Sequence, residues 1–323
     1  MKVKSISRLI IVGFGHAGRT YLDASINLSK YIDEIYVYDP LINIKLVKKY
    51  NTLKKIKVSF LKTKFNSKFL NKNTILILAA SGRHKIKILK LIKSEVKLII
   101  IEKPPALNKI EYNFIKKNFP PKKIYYALHA SKGLEITQTK KVLGKLKRKD
   151  LIGLNISQLF VDPYGKNSHN SKSLINSWTD SGVNALSIIG EIFGDVIKGL
   201  KFDSKKSNLV NNSLISALFT VPSIDCNYRI TTSWDLGIDL KITQINLPRK
   251  GLRLTLDHSK QQLYHGFSTQ LIHKKAVKID KNRLKAHYYE VLKEAIVKID
   301  TSRAHKNMDL ISDNFYSVIK KLK

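Results

Sequence analysis

Leu9-Ile10-Ile11-Val12-Gly13-Phe14-Gly15-His16-Ala17-Gly18 joins a short apolar run to the spacing Gly-x-Gly-x-x-Gly. Beyond it, Ala17, Tyr21, Ala24, Leu28 and Ile32 recur at helical spacing. Strand, glycine loop and helix in that order form a cradle for a pyrophosphate. Gly13 allows the tight turn, Gly15 lets the backbone approach the anion, and Gly18 lets the helix pack closely on the strand. The helix N-terminus then faces the phosphates. A lone glycine pattern is weak, but here the flanking elements supply its context. Phe14, His16 and Ala17 complete the expected cofactor loop.

The next strand is Ile35-Tyr36-Val37-Tyr38, which ends in Asp39-Pro40. An acidic residue about twenty positions past a glycine loop is placed to bind a ribose 2′-hydroxyl. Asp39 would repel a 2′-phosphate, so NAD is expected over NADP. The plainer reading is that Asp39 caps a helix beginning near Leu41.

Val58–Leu61 reads as a third strand and Thr74–Ala80 as a fourth, ending at Ser81-Gly82-Arg83-His84. Lys97-Leu98-Ile99-Ile100-Ile101-Glu102-Lys103-Pro104-Pro105 follows. Its isoleucine-rich core has no polar alternation, which suits a strand covered on both faces. Pro104 has no N–H to give, so the ladder stops there. Glu102 and Lys103 therefore sit at the carboxyl end of a central strand, where open α/β sheets bind ligands. A helix near 108–117 and a strand Ile124–Ala127 continue the alternation, which predicts a doubly wound parallel sheet.

Composition bounds the reading. The 323 residues suffice for two domains, and 43% hydrophobic with 26% charged is an ordinary globular balance. No apolar run reaches the length of a membrane span, and the N-terminal apolar run is short for a signal peptide, so a cytoplasmic, non-membrane protein is expected. The single cysteine, Cys226, excludes an internal disulfide and a cysteine-built metal site. The histidines show no ligand spacing, so no metal is expected. The net charge of +35 suggests nucleic acid at first sight, but nine of the 59 basic residues are arginine and the lysines are scattered. No specific nucleic-acid role is expected.

Three features now stand in order: the glycine loop at 13–18, Ala79-Ala80-Ser81 with His84, and Glu102-Lys103-Pro104. The set resembles the glucose–fructose oxidoreductase / inositol dehydrogenase (Gfo/Idh/MocA) family over almost the whole chain. The resemblance implies a Rossmann domain, placed at 1–128, and a C-terminal α+β domain at 129–323 with an open, largely antiparallel sheet. It implies hydride transfer between a nicotinamide and a sugar, cyclitol or similar small molecule. Lys103 then corresponds to the motif lysine near the substrate hydroxyl, Glu102 lies by the nicotinamide, and Ala80, Ser81 and His84 line the cofactor cleft. The C-terminal sheet is expected to form a homo-oligomer surface.

Asp180-Ser181-Gly182-Val183-Asn184 falls where that family has Asp-x-Gly-x-His. The usual catalytic histidine therefore corresponds to Asn184, and an amide cannot serve as a general base. Three readings stay open. Lys103 handles the proton with Asp180, the reaction is reduction of an imine or keto-sugar, or the protein is a non-catalytic nucleotide- or sugar-sensing regulator.

In the second half, Asp162–Ser177 is a polar stretch containing His169, placed to act as a lid. Trp178 either closes the substrate pocket or belongs to the core. Gly182–Phe193 is helical with an apolar face that excludes Asn184 and Ser187, leaving them free to face a cleft. His129 follows the Ile124–Ala127 strand and is a candidate substrate contact. Segments 214–221, 228–233, 240–247 and 252–257 read as strands, with a hairpin turn at Pro248–Gly251. Leu284–Ile299 and Met308–Leu322 read as terminal helices.

Overall fold

Every residue of Leu98–Glu102 is buried in a strand, β5, and the same holds for β4 (Thr74–Leu78) and β6 (Ile124–Ala127). These are the three runs that lack polar alternation, as a strand covered on both faces requires. The protein is described from a computed structural model, covering residues 6–43, 45, 47, 50, 56–92, 96–144, 146–163, 175–209, 212–267, 270–276, 283–298 and 301–322.

With β1 (Ile6–Val12), β2 (Ile32–Tyr38) and β3 (Lys57–Leu61), these strands form a six-stranded sheet in the order β3-β2-β1-β4-β5-β6. All five pairings are parallel. This is the doubly wound order, and the strand order reverses between β1 and β4. Helix α1 (His16–Ile26) follows β1, α2 (Gly82–Lys90) follows β4, and α3 (Lys109–Asn118) follows β5. The helical periodicity ran on to Ile32, but α1 ends at Ile26. Asn27 and Leu28 turn back onto the carbonyls of Ala24 and Ser25, so Leu28 and Ile32 reach the core from beyond the helix.

The second sheet has eight strands: β7 (Asn155–Val161), β8 (Lys201–Leu209), β9 (Leu214–Val221), β10 (Cys226–Ser233), β11 (Leu240–Leu247), β12 (Leu252–Asp257), β13 (Gln262–Phe267) and β14 (Gln270–Ala276). Their order is β14-β13-β12-β11-β7-β10-β9-β8. Only β7 and β10 pair in parallel; the other six pairings are antiparallel. Gly251, at φ +58°, turns the β11–β12 hairpin. Helices α4 (Leu134–Leu143) and α5 (Val183–Phe193) belong to this half.

The chain divides into two compact units, 1–129 with 282–306, and 130–281 with 307–323. The boundary near 128 thus has a second passage that sequence order did not announce. Helix α6 (Arg283–Leu292) returns to the first unit, where Tyr288, Val291, Leu292, Ala295 and Ile296 join its apolar core. Burying each large side chain there contributes roughly 1.5–3 kcal/mol, which holds the returning segment in place. The last helix, α7 (Ser302–Lys321), begins six residues before the expected Met308. Among the described residues no helix is long and apolar enough to cross a membrane. No group of three His, Cys, Asp or Glu side chains suited to a metal ion occurs among them.

Candidate active site

Gly13 has φ +96°, and a Cβ on it would stand 2.6 Å from the backbone nitrogen of Ala80. The turn after β1 therefore lies against the end of β4, which brings Ala80 to the glycine loop. A Cβ on Gly18 would stand 1.9 Å from the Gly13 carbonyl, so helix α1 approaches the strand as only glycine allows. Gly15 differs from both. A Cβ there would meet nothing within 4 Å. The fold has no use for glycine at that position, but a ligand approaching the backbone does.

Asp39 faces this loop. Its Oδ2 accepts the Phe14 amide at 2.6 Å, and its Oδ1 accepts the Leu41 amide at 2.7 Å. No helix begins at Leu41: the bond to its amide closes a turn at Pro40–Leu41, and the same carboxylate ties the second strand's end to the glycine loop. Each oxygen keeps a further lone pair for a ribose hydroxyl. Beyond β4, the Ser81 hydroxyl and His84 Nδ1 lie 2.8 Å apart.

Glu102 is 5% exposed at the end of β5. Tyr21 of α1 donates to its Oε2 at 2.7 Å, and Tyr288 of α6 donates to its Oε1 at 3.2 Å. His129 Nδ1 stands 3.6 Å from Oε1, an ion-pair distance rather than a hydrogen bond. Burial disfavours the charged carboxylate, but His129, Lys103 and Lys85 outweigh it and hold its pKa below the ordinary value. Burial and the Glu102 charge push the Tyr21 phenol well above its usual value, so it remains a neutral donor.

Lys85 is the least expected member. It is 1% exposed, and its Nζ donates to the carbonyls of Glu102 and Pro104, the latter at 2.7 Å. Burial lowers its pKa to about 7, with Glu102 opposing and Lys103 adding to the fall. The lysine clamps both sides of Lys103 and so sets the path of the turn that carries it. His16, at the start of α1, also has a lowered pKa. Partial shielding comes first, then the positive charges of Arg19, His129 and Lys103, against Glu102. The first unit therefore brings Lys103, Glu102, His129 and His16 into one electrostatic group.

In the second unit, a π-helical turn, Trp178–Gly182, leads into α5. Trp178 has no exposed surface, stacks at 6.1 Å on both Phe219 and Phe315, and donates its indole N–H to the Phe315 carbonyl. The core reading of Trp178 matches this packing, and the pocket-wall reading does not. Gly182 is tied to it, since a Cβ there would stand 2.5 Å from the indole. Asp180 is 5% exposed, and Trp234 Nε1 lies 3.4 Å from its Oδ2.

Asn184 is buried; its Nδ2 lies 3.5 Å from the Asp180 carbonyl, and its Oδ1 has no hydrogen-bond partner. A buried acceptor left unpaired costs about 1–3 kcal/mol, a cost that a bound donor group removes. Ser187 does not face a cleft as expected. It is fully buried, its hydroxyl donates back to the Asn184 carbonyl, and Asn307 of α7 donates to its own carbonyl. Helix α5 is covered nearly all round, so its apolar stripe did not reveal its free side. Most of the expected lid, including His169, lies outside the described residues.

Tyr21, Lys85 and Tyr288 were not singled out from sequence. Tyr21 reads as an ordinary core position of α1. Tyr288 lies 186 residues from Glu102, and nothing in its surroundings marks it. A lysine three residues into α2 carries no signal either.

No protein-family model matches the sequence, and no curated protein matches it either. Solved structures do match. Levoglucosan dehydrogenase, in complex with NADH and levoglucosan, superposes with a TM-score of 0.70 over 98% of both chains at 10% identity. A dehydrogenase (MviM) from Clostridium difficile gives 0.68 at 13% identity, over 98% of this chain and 99% of that one. The fold is of the Gfo/Idh/MocA type. Gal80p from Saccharomyces cerevisiae, as a super-repressor mutant, shares this fold at a TM-score of 0.70 and 14% identity, over 98% of this chain and 95% of that one. Within the Gfo/Idh/MocA fold the likeness at such identities concerns architecture; the chemistry must come from the residues.

Proposed function

We propose that this chain is an NAD-dependent oxidoreductase that transfers a hydride between the nicotinamide and a sugar or sugar-like substrate. The observation that carries the reading is Gly15, whose missing side chain leaves open space beside the Asp39 carboxylate's bond to the Phe14 amide. These residues fit a dinucleotide. The loop amides and the start of α1 would hold the pyrophosphate, and Asp39 would hold the ribose and disfavour a 2′-phosphate. When bound, the nicotinamide supplies the hydride acceptor or donor. Ala80, Ser81 and His84 are proposed to line the same site.

Lys103 is proposed as the cation near the reacting oxygen, held by the Lys85 clamp. Its ammonium favours the developing alkoxide. Asp180 and Asn184 are proposed as substrate-site residues, Asn184 Oδ1 accepting a hydroxyl or amide hydrogen. Levoglucosan and UDP-sugar dehydrogenases among the fold neighbours support a carbohydrate substrate. The test pairs NADH binding by fluorescence with NAD reduction on a panel of pyranoses and nucleotide sugars. Lys103→Ala should remove turnover and leave NADH binding largely intact; full activity in that variant sinks the assignment.

A second reading rests on Asn184 and the shared fold of Gal80p. In it the chain binds nucleotide and regulates a partner without turnover. Nucleotide binding with no reaction across the panel, together with a specific protein partner, would support it. Reduction of an imine or keto-sugar is the enzymatic variant, because it needs a proton donor rather than a histidine base.

A further inference from the structure

We propose that His129, oriented by Glu102, is the proton-accepting group of this site, in the role the resemblance would have given to a histidine at position 184. The inference rests on the oxidoreductase reading.

Two other buried or part-buried histidines already have ring nitrogens engaged. His258 is bonded on both sides, Nδ1 to Glu135 at 2.8 Å and Nε2 to Thr243 at 2.7 Å. His305 Nε2 meets the Ile124 carbonyl at 3.0 Å. His129 is 7% exposed, yet its Nδ1 is buried without a hydrogen-bond partner. That nitrogen stands 3.6 Å from Glu102 Oε1. An approach of ~0.6 Å makes it a hydrogen bond.

The ring is also fixed. It stacks on Tyr288 at 4.9 Å with an interplanar angle of 25°, and the same Tyr288 donates its hydroxyl to Glu102 Oε1. One phenol therefore sets both members of the pair. A carboxylate facing Nδ1 selects the tautomer with a proton there and leaves Nε2, on the other edge of the ring, as the basic nitrogen. Glu102 stays anionic to do this, because His129 beside it, together with Lys103 and Lys85, holds its pKa below the ordinary value. The charged and titratable groups around the pair are Lys103 beyond β5, His16 and Tyr21 of α1, Lys85 of α2 and Tyr288 of α6.

In the oxidation direction the substrate alcohol loses two parts. Its C–H electron pair leaves as hydride to the nicotinamide oxidant, and its O–H proton passes to His129 Nε2. The products are a carbonyl compound and an imidazolium facing the Glu102 carboxylate. Lys103 contributes positive charge near the oxygen and keeps its own proton. Tyr288 is a positioning residue.

The tautomer can be read without turnover. Nitrogen-15 histidine NMR on the full chain at pH 8, with and without NADH, should show His129 protonated on Nδ1. A dominant Nε2–H tautomer overturns the proposal. His129→Gln should keep NADH affinity within about twofold and cut kcat by about 100-fold on any sugar of the panel that the wild type oxidises. Wild-type kcat in that variant overturns it as well. If the wild-type chain binds NADH and oxidises nothing, the oxidoreductase reading fails, and the proposal falls with it even where the tautomer is as expected.

Discussion

The hydroxyl of Tyr21, in the helix that follows the glycine loop, donates a 2.7 Å hydrogen bond to Glu102 at the end of a strand 81 residues later. One buried contact thus ties the cofactor loop's helix to the strand end that carries Lys103. Hydrogen bonds to charged groups contribute about 1.5–3 kcal/mol, so Tyr21→Phe should lower unfolding stability by that order in urea titrations.

Glu102 gives this contact a pH dependence. Its folded pKa lies below the ordinary 4.5, so the folded state favours the ionised form. The stability it contributes is fully present above 4.5 and is lost as pH falls through the depressed folded value. Glu102→Gln should therefore flatten the acid limb of the stability curve. A limb as steep as the wild type's would count against the ionised carboxylate.

Lys85 works in the opposite range. Its folded pKa is about 7 against an ordinary 10.5, so between those values the unfolded chain binds the extra proton. Stability should rise from pH 7 towards pH 10, by up to ~1.4 kcal/mol per pH unit from this group. Lys85→Met should remove that rise. It should also lower kcat on an accepted substrate, because the carbonyls flanking Lys103 lose their clamp.

Two glycines separate folding from binding. Gly13→Ala meets Ala80 backbone at 2.6 Å in a conformation that L side chains rarely adopt, so it should lower the melting temperature. Gly15→Ala meets nothing within 4 Å and should leave melting nearly unchanged. If a pyrophosphate approaches there, the same change should weaken NADH binding by more than tenfold in fluorescence titration. Equal affinities would remove the main support for the cofactor site.

Asn184 holds a buried acceptor without a partner. Asn184→Leu removes it and should leave stability unchanged or raise it by about 1 kcal/mol. Substrate KM should rise in that variant while NADH affinity holds. A loss of several kcal/mol in urea titration would mean that the amide serves the fold instead.

Local chemistry carried much of this architecture. Unbroken apolar runs such as Leu98–Glu102 mark covered strands because alternation disappears when both faces are buried. Gly13 and Gly18 mark the loop because close backbone approach, and at Gly13 a positive φ, exclude a Cβ. Both signals lie within a few residues, so the chain alone expresses them. The surroundings of Glu102 are different. Tyr21, Lys85, His129 and Tyr288 meet it only when α1, α2, the end of β6 and α6 converge, and the last comes from a segment that returns to the first unit after the second is built. Trp178 and Ser187 show the same limit, since a buried side chain and a pocket-lining one have the same identity until packing assigns their neighbours. Side-chain partnership at long sequence separation is a property of the folded chain, and it is what gives the Lys103 strand end its charge and its candidate base.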